Sequence, residues 1–165
     1  MTKQPKDLNV LFYETLKDIY YAEKQILRAL PKMAKSAQSH ELRQAFETHR
    51  DQTEGHIERL DQVFELIGKP ARGKTCEAIN GIIEEGKEIM EDFAESSALD
   101  PGLLSAAQAV EHYEISRYGT LKTWANELGL KTIVPLLDAT LAEEKKTDEL
   151  LSKIAAQSVN RKAAA

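Results

Sequence analysis

Two glutamates on the apolar stripe of one helical segment constrain this chain more than any other feature. In the stretch VEHYEISRYG, Glu111 and Glu114 lie three residues apart, inside a run whose apolar positions are Leu104, Ala107, Tyr118, Leu121, Ala125 and Leu128. Steps of three and four mark one face of a helix, and both carboxylates fall on it. That face must be buried, so the carboxylates are buried with it. An ionised carboxylate buried alone is costly or takes up a proton, and two on one inward stripe call for a compensating cation.

The rest of the chain bounds what that cation can be. With 165 residues, 42% of them hydrophobic, the sequence is about one domain with a real core. Its net charge of −5 and mixed-sign surface leave no basic stripe to displace counterions from phosphates, so no nucleic-acid partner is expected. No apolar run approaches the length of a membrane span, and the start MTKQPKDLN has no apolar signal region, so neither a membrane nor export is expected. The single cysteine, Cys76, cannot form an internal disulfide, which fits a reducing cytoplasm.

Five helices account for the pattern. Residues 7–38 form the first, with Phe12, Leu16, Ile19, Glu23, Ile26, Leu30 and Met33 on one face and a bend expected at Pro31. Ser39 is a candidate N-cap for the second, whose stripe is Leu42, Phe46, His49, Thr53, His56, Leu60, Val63 and Ile67, and Gly68-Lys69-Pro70 ends it. Residues 75–97 form a third, with Ile79, Ile82, Gly86, Ile89 and Phe93 on one face. Asp100-Pro101-Gly102 reads as a turn in which Asp100 caps the fourth helix, which Gly129 stops. The fifth carries Ile133, Leu137, Thr140, Glu144, Thr147, Leu151 and Ile154 on its stripe and then frays. No strand-period alternation of useful length occurs, so the fold class is all-α. Four of the helices are long, roughly 40 Å each. They suit an elongated four-helix bundle of two antiparallel hairpins, with the third helix as the crossover between them. The domain is expected over residues 7–157, with flexible ends at 1–6 and 158–165. Helix three shows more apolar surface than a crossover needs, which points to a two-fold dimer contact.

The inward stripes then supply a candidate metal site. Glu23 lies 33 residues before His56 across the first hairpin, and Glu111 lies 33 before Glu144 across the second. Each pair is about equidistant from its turn, so all four sit at one level, midway along the bundle. No Lys or Arg occupies a stripe position, so an internal salt bridge is not the obvious answer to Glu23, Glu111, Glu114 and Glu144. Two divalent cations would balance four carboxylates, and oxygen ligands with one or two imidazoles suit iron, manganese or zinc. Without a cation the four carboxylates are expected to repel one another and hold protons. His56 is the leading imidazole. His49 lies two turns away, about 10 Å along the axis, and is expected outside the same coordination shell. Asp148, one turn beyond Glu144, is expected to close the site or steady a ligand. Gln52, Asp51 and Glu54 border the inward face as solvated flanks, and His40 and His112 should face outward.

The segments YYAEKQILRALPKMA, QTEGHIERLDQV, VEHYEISRYGTL and EEKKTDELL resemble the YciF family of bacterial ferritin-like proteins over nearly the whole chain. The wider likeness is to the ferritin-like superfamily that includes rubrerythrins and bacterioferritins. That resemblance implies a bacterial source, a stress-associated setting, a homodimer and a di-iron site. Glu23 falls where the superfamily's first-helix glutamate would be, Glu111-x-x-Glu114 matches the rubrerythrin-type pair, and Glu144 matches the last-helix glutamate. Where the superfamily carries Glu-x-x-His on two helices, this chain has Thr53-x-x-His56 and Glu144-x-x-Thr147. Three functions follow as alternatives: a di-metal carboxylate protein reactive toward oxygen or peroxide, a structural or interaction bundle with a vestigial metal site, and an iron-storage cage.

Overall fold

The computed structural model describes residues 5–165. Among these it is all-helical: α1 (Leu8–Ser36), α2 (His40–Leu66), α3 (Glu77–Asp92), α4 (Leu99–Glu127) and α5 (Val134–Ile154), followed by a π-helical turn (Ala155–Val159) and the short α6 (Asn160–Ala164). The hairpins α1/α2 and α4/α5 pack against each other along α1/α4 and α2/α5, and α3 crosses between them against α4 and α1. The fold is therefore the elongated four-helix bundle with a crossover helix that the periodicity implied. No described helix is long and apolar enough to cross a membrane.

Local chemistry sets the helix ends. The Asp7 carboxylate accepts from the Val10 amide at 3.0 Å and the Ser39 hydroxyl from the Leu42 amide at 3.3 Å, each filling an orphan donor of a first turn. At the far ends Gly68 (φ 66°) and Gly129 (φ 70°) take the left-handed conformation. Their following residues reach back, Lys69 N to Phe64 O at 3.0 Å and Leu130 N to Ala125 O at 2.8 Å, which closes a Schellman motif at each end. These caps stop α2 and α4.

Pro31 sits inside α1, which runs through it without a stop, as expected. Two local expectations are corrected. Asp100 does not cap its own helix, because α4 already begins at Leu99; its carboxylate instead accepts from the Gln38 and Ser39 amides at 2.8 and 2.7 Å. It thereby ties the α1–α2 turn to the start of α4 and holds the hairpins in register. Beyond Ile154 the chain stays helical to Ala164 with Val159 buried, so the expected fray is a continued helix. Residues 1–4 of the expected flexible start lie outside the described residues. The apolar stripe of α3 is also largely used within the chain: Ile79 and Gly86 are buried, Ile82 and Ile89 half-buried, and only Phe93 is exposed.

Candidate metal centre

All four long helices place acids or imidazoles at one level of the core. Glu23 comes from α1, His49 and His56 from α2, Glu111 and Glu114 from α4, and Glu144 from α5, and every one is buried. Their ligand atoms form two groups, Glu23, His56, Glu114 and Glu144 in one and His49, Glu111, Glu114 and Glu144 in the other, with the atoms of each within 4.8 Å of one another. Glu114 and Glu144 belong to both groups.

The distances resemble the edges of a coordination shell. His56 Nδ1 lies 2.9 Å from Glu144 Oε1 and 3.3 Å from Glu23 Oε1; His49 Nε2 lies 2.8 Å from Glu111 Oε1 and 3.9 Å from oxygens of Glu114 and Glu144. Two ligands at about 2.1 Å from one ion stand about 3 to 3.4 Å apart for octahedral or tetrahedral angles. Eight buried polar atoms make no hydrogen bond: His49 Nε2, His56 Nδ1, Glu23 Oε2, Glu111 Oε2 and both carboxylate oxygens of Glu114 and of Glu144. Short separations without hydrogen-bond alignment mean that the lone pairs face common points rather than each other. Buried polar atoms are almost always satisfied, and this donor set fits divalent transition metals.

Outside the cluster, partners orient three of these residues, His56, Glu23 and His49. His56 Nε2 lies 2.8 Å from Glu143 Oε2, and Arg59 grips the same carboxylate at 3.0 and 2.7 Å, so Nδ1 is left facing Glu23 and Glu144. The Tyr118 hydroxyl donates to Glu23 Oε1 at 2.6 Å. His49 Nδ1 has only Gln52 Oε1, at 3.4 Å, which also accepts from Thr147 at 3.3 Å. One imidazole is thus backed by a clamped carboxylate and the other by a neutral amide.

Burial and mutual repulsion decide the protonation of this cluster. Burial pushes the carboxyls of Glu111 up to about 7 and Glu144 up to about 8. Glu114 is raised well above the ordinary carboxylate range by burial and by its three acidic neighbours. Glu23 departs from the expected pattern. Burial would raise it, but the charge of the adjacent His56, together with the hydrogen bond from Tyr118, outweighs burial and holds it below its ordinary value. Burial likewise opposes charge on His56, and Glu23 with Glu144 carries it up to about 11.

Five of the six residues expected from sequence meet here: Glu23, His56, Glu111, Glu114 and Glu144. Asp148 does not. Its carboxylate lies 3.1 Å from the exposed His112 and accepts from Gln108 at 3.2 Å, because four residues of α5 rotate it past the core line toward α4. His49, expected too far away, belongs to the second group. The expectation measured helical rise between backbones, whereas the two imidazole rings converge to a centroid separation of 6.1 Å. His40 and His112 are exposed, as expected.

A family profile described as a domain of unknown function, DUF892, matches residues 7–164. The chain belongs to that family. It is 44% identical to Protein YciF of Escherichia coli strain K12 over 159 residues, which cover 96% of each chain. The crystal structure of the E. coli stress protein YciF superposes with a TM-score of 0.90 at 43% identity, covering 95% of this chain and 99% of that one. A Rhodopseudomonas palustris protein named YcfI also superposes with a TM-score of 0.90, at 44% identity, covering 94% and 99%. The resemblance to the YciF family drawn from four segments is borne out over the length of the domain.

Proposed function

We propose that this chain holds two divalent transition-metal ions, iron foremost, between its four long helices, and that the loaded site reacts with dioxygen or peroxide. The observation that carries the proposal is the set of eight buried, unpartnered ligand atoms falling into two groups that share Glu114 and Glu144. Glu23 and His56 would hold one ion, Glu111 and His49 the other, and Glu114 with Glu144 would lie between them. Four carboxylates match the charge of two dications, and manganese or zinc would satisfy the same donors. Bound iron would supply the redox capacity toward oxygen or peroxide.

The chain's own residues would prepare that chemistry. Glu143, clamped by Arg59, orients His56 so that Nδ1 faces inward. Tyr118 fixes Glu23. Glu111 and Glu144 hold protons near neutrality in the metal-free cluster, and metal uptake must release them. All six residues that would hold the ions come from one chain. The E. coli relative is described as a stress protein, and an oxidative-stress setting for this chain fits oxygen or peroxide as the reactant.

Metal analysis of protein purified without chelator, followed by iron(II) addition in an oxygen electrode, tests the proposal. About two metal equivalents per chain with oxygen uptake is the expected result, given two ligand groups. One tightly held, unreactive ion would favour a structural bundle, the role suggested by the description of YcfI as a candidate structural protein.

A further inference from the structure

An apolar cavity of about 180 Å³ opens between α1, α3 and α4. Ile26, Phe46, Ile82, Ile83, Met90 and Val110 supply much of its wall. Of the six cluster residues only His49 and Glu111 line it, both deeply buried, so the cavity reaches one of the two ligand groups and not the other. Its outer edge carries the exposed Arg28, Lys32 and Lys87. Lys87 pairs with Glu84 at 3.3 Å, whereas Arg28 and Lys32 have no carboxylate partner among the described residues. Glu111, at the inner end, is the one acid in the lining.

Volume, lining and charge together define a guest. A dry apolar cavity of about 150 Å³ holds benzene, so this one has room for roughly seven or eight heavy atoms. Cations stand at the mouth and an acid at the inner end, so a guest with one anionic end would leave that end outside. We propose that the cavity binds a medium-chain carboxylate, with its alkyl chain inside, its terminal methyl toward His49 and Glu111, and its carboxylate beside Arg28 and Lys32. The proposal rests on the metal reading for its consequence, which is that such acids are the substrate class presented to the His49 and Glu111 half of the site. Binding itself needs no metal.

Calorimetric titration of metal-free, full-length protein with octanoate, 1-octanol and octylammonium tests it. Octanoate should bind up to about five-fold tighter than octanol for each exposed ion pair it makes, with octylammonium weakest. Arg28→Glu should bring octanoate down to the level of octanol or below. Gly86→Met should abolish binding by filling the cavity; a Cβ at that position meets only Ala106 Cβ, at 3.7 Å, so the backbone can accept it. Ala29→Phe fills the opposite wall and serves if the first variant does not fold. No binding of octanoate by the unaltered protein, including closure of the mouth by a second copy seen as a dimer in light scattering, would overturn the proposal. So would equal binding of all three probes.

Titration of manganese(II)-loaded protein separates this proposal from the metal reading. Paramagnetic relaxation of octanoate protons should be strongest at the terminal methyl, and relaxation strongest beside the carboxylate would overturn the orientation. Octanoate binding by protein that takes up no manganese would sink the metal reading and leave the cavity assignment standing.

Discussion

Removing metal should turn the pH dependence of stability upside down. Burial raises Glu111 to about 7 and Glu144 to about 8 from an ordinary 4.5, so the metal-free native state binds protons that the unfolded chain has released. The stability linked to those protons is fully present below the unfolded value and is lost as pH rises through the folded ones. Each carboxyl then contributes about 2 kcal/mol of change between about pH 5 and 7, or on the order of 4 kcal/mol for the pair. For a domain of this size that is a fall in Tm of about 10 °C. Glu114 acts in the same direction. His56, raised to about 11, also acts that way, since its contribution is complete below its ordinary 6.5 and declines above it. Glu23 is lowered, so its contribution is present above its ordinary 4.5 and fades only at more acidic pH. Metal-loaded protein should show the opposite slope, because protons compete with the ions for the same oxygens. Melts of chelator-treated and reloaded samples across that interval measure both slopes. Parallel curves, or metal-free protein that gains stability toward pH 7, would refute the shared buried cluster.

Further outcomes follow from single residues. Glu111→Ala should cut metal content from two ions to one with helical circular dichroism unchanged, because Glu111 belongs to one ligand group only, whereas Glu114→Ala should weaken both ions. Glu143→Gln should lower metal affinity about 10- to 100-fold in a competition titration, since it weakens the partner that orients His56. Asp100→Ala orphans the Gln38 and Ser39 amides and should cost about 2 to 3 kcal/mol in chemical denaturation, with metal content retained after refolding. Gly129→Ala forces a side chain into the left-handed region and should cost about 1 kcal/mol in the same assay.

Much of this fold is legible because the stripes that bury Leu16, Leu60, Leu121 and Leu137 repeat at helical spacing, and the caps at Ser39, Gly68 and Gly129 are short-range chemistry. The glutamates were equally readable, since charge on an apolar stripe has few explanations. What escaped depends on how side chains of neighbouring helices meet. Axial rise placed His49 too far away, although its ring reaches Glu111 at 2.8 Å. Glu143 and Arg59 flank the stripe and look like surface charges, yet they meet across α2 and α5 behind His56. His56-x-x-Arg59, one turn apart, was the available signal for them. Asp148 erred the other way, because its side chain turns toward His112 on α4. The side chain of Asp100 reaches 62 residues back to Gln38, a contact that no local pattern encodes.

On the proposed reading, the bundle core holds two ions in ligand groups that share Glu114 and Glu144. Anomalous diffraction from crystals soaked in manganese(II) or iron(II), with data on both sides of the metal absorption edge, locates the ions directly. Two peaks are expected inside the bundle, one beside Glu23 and His56 and the other beside His49 and Glu111. No peak within the core, or peaks confined to surface carboxylates, would contradict it.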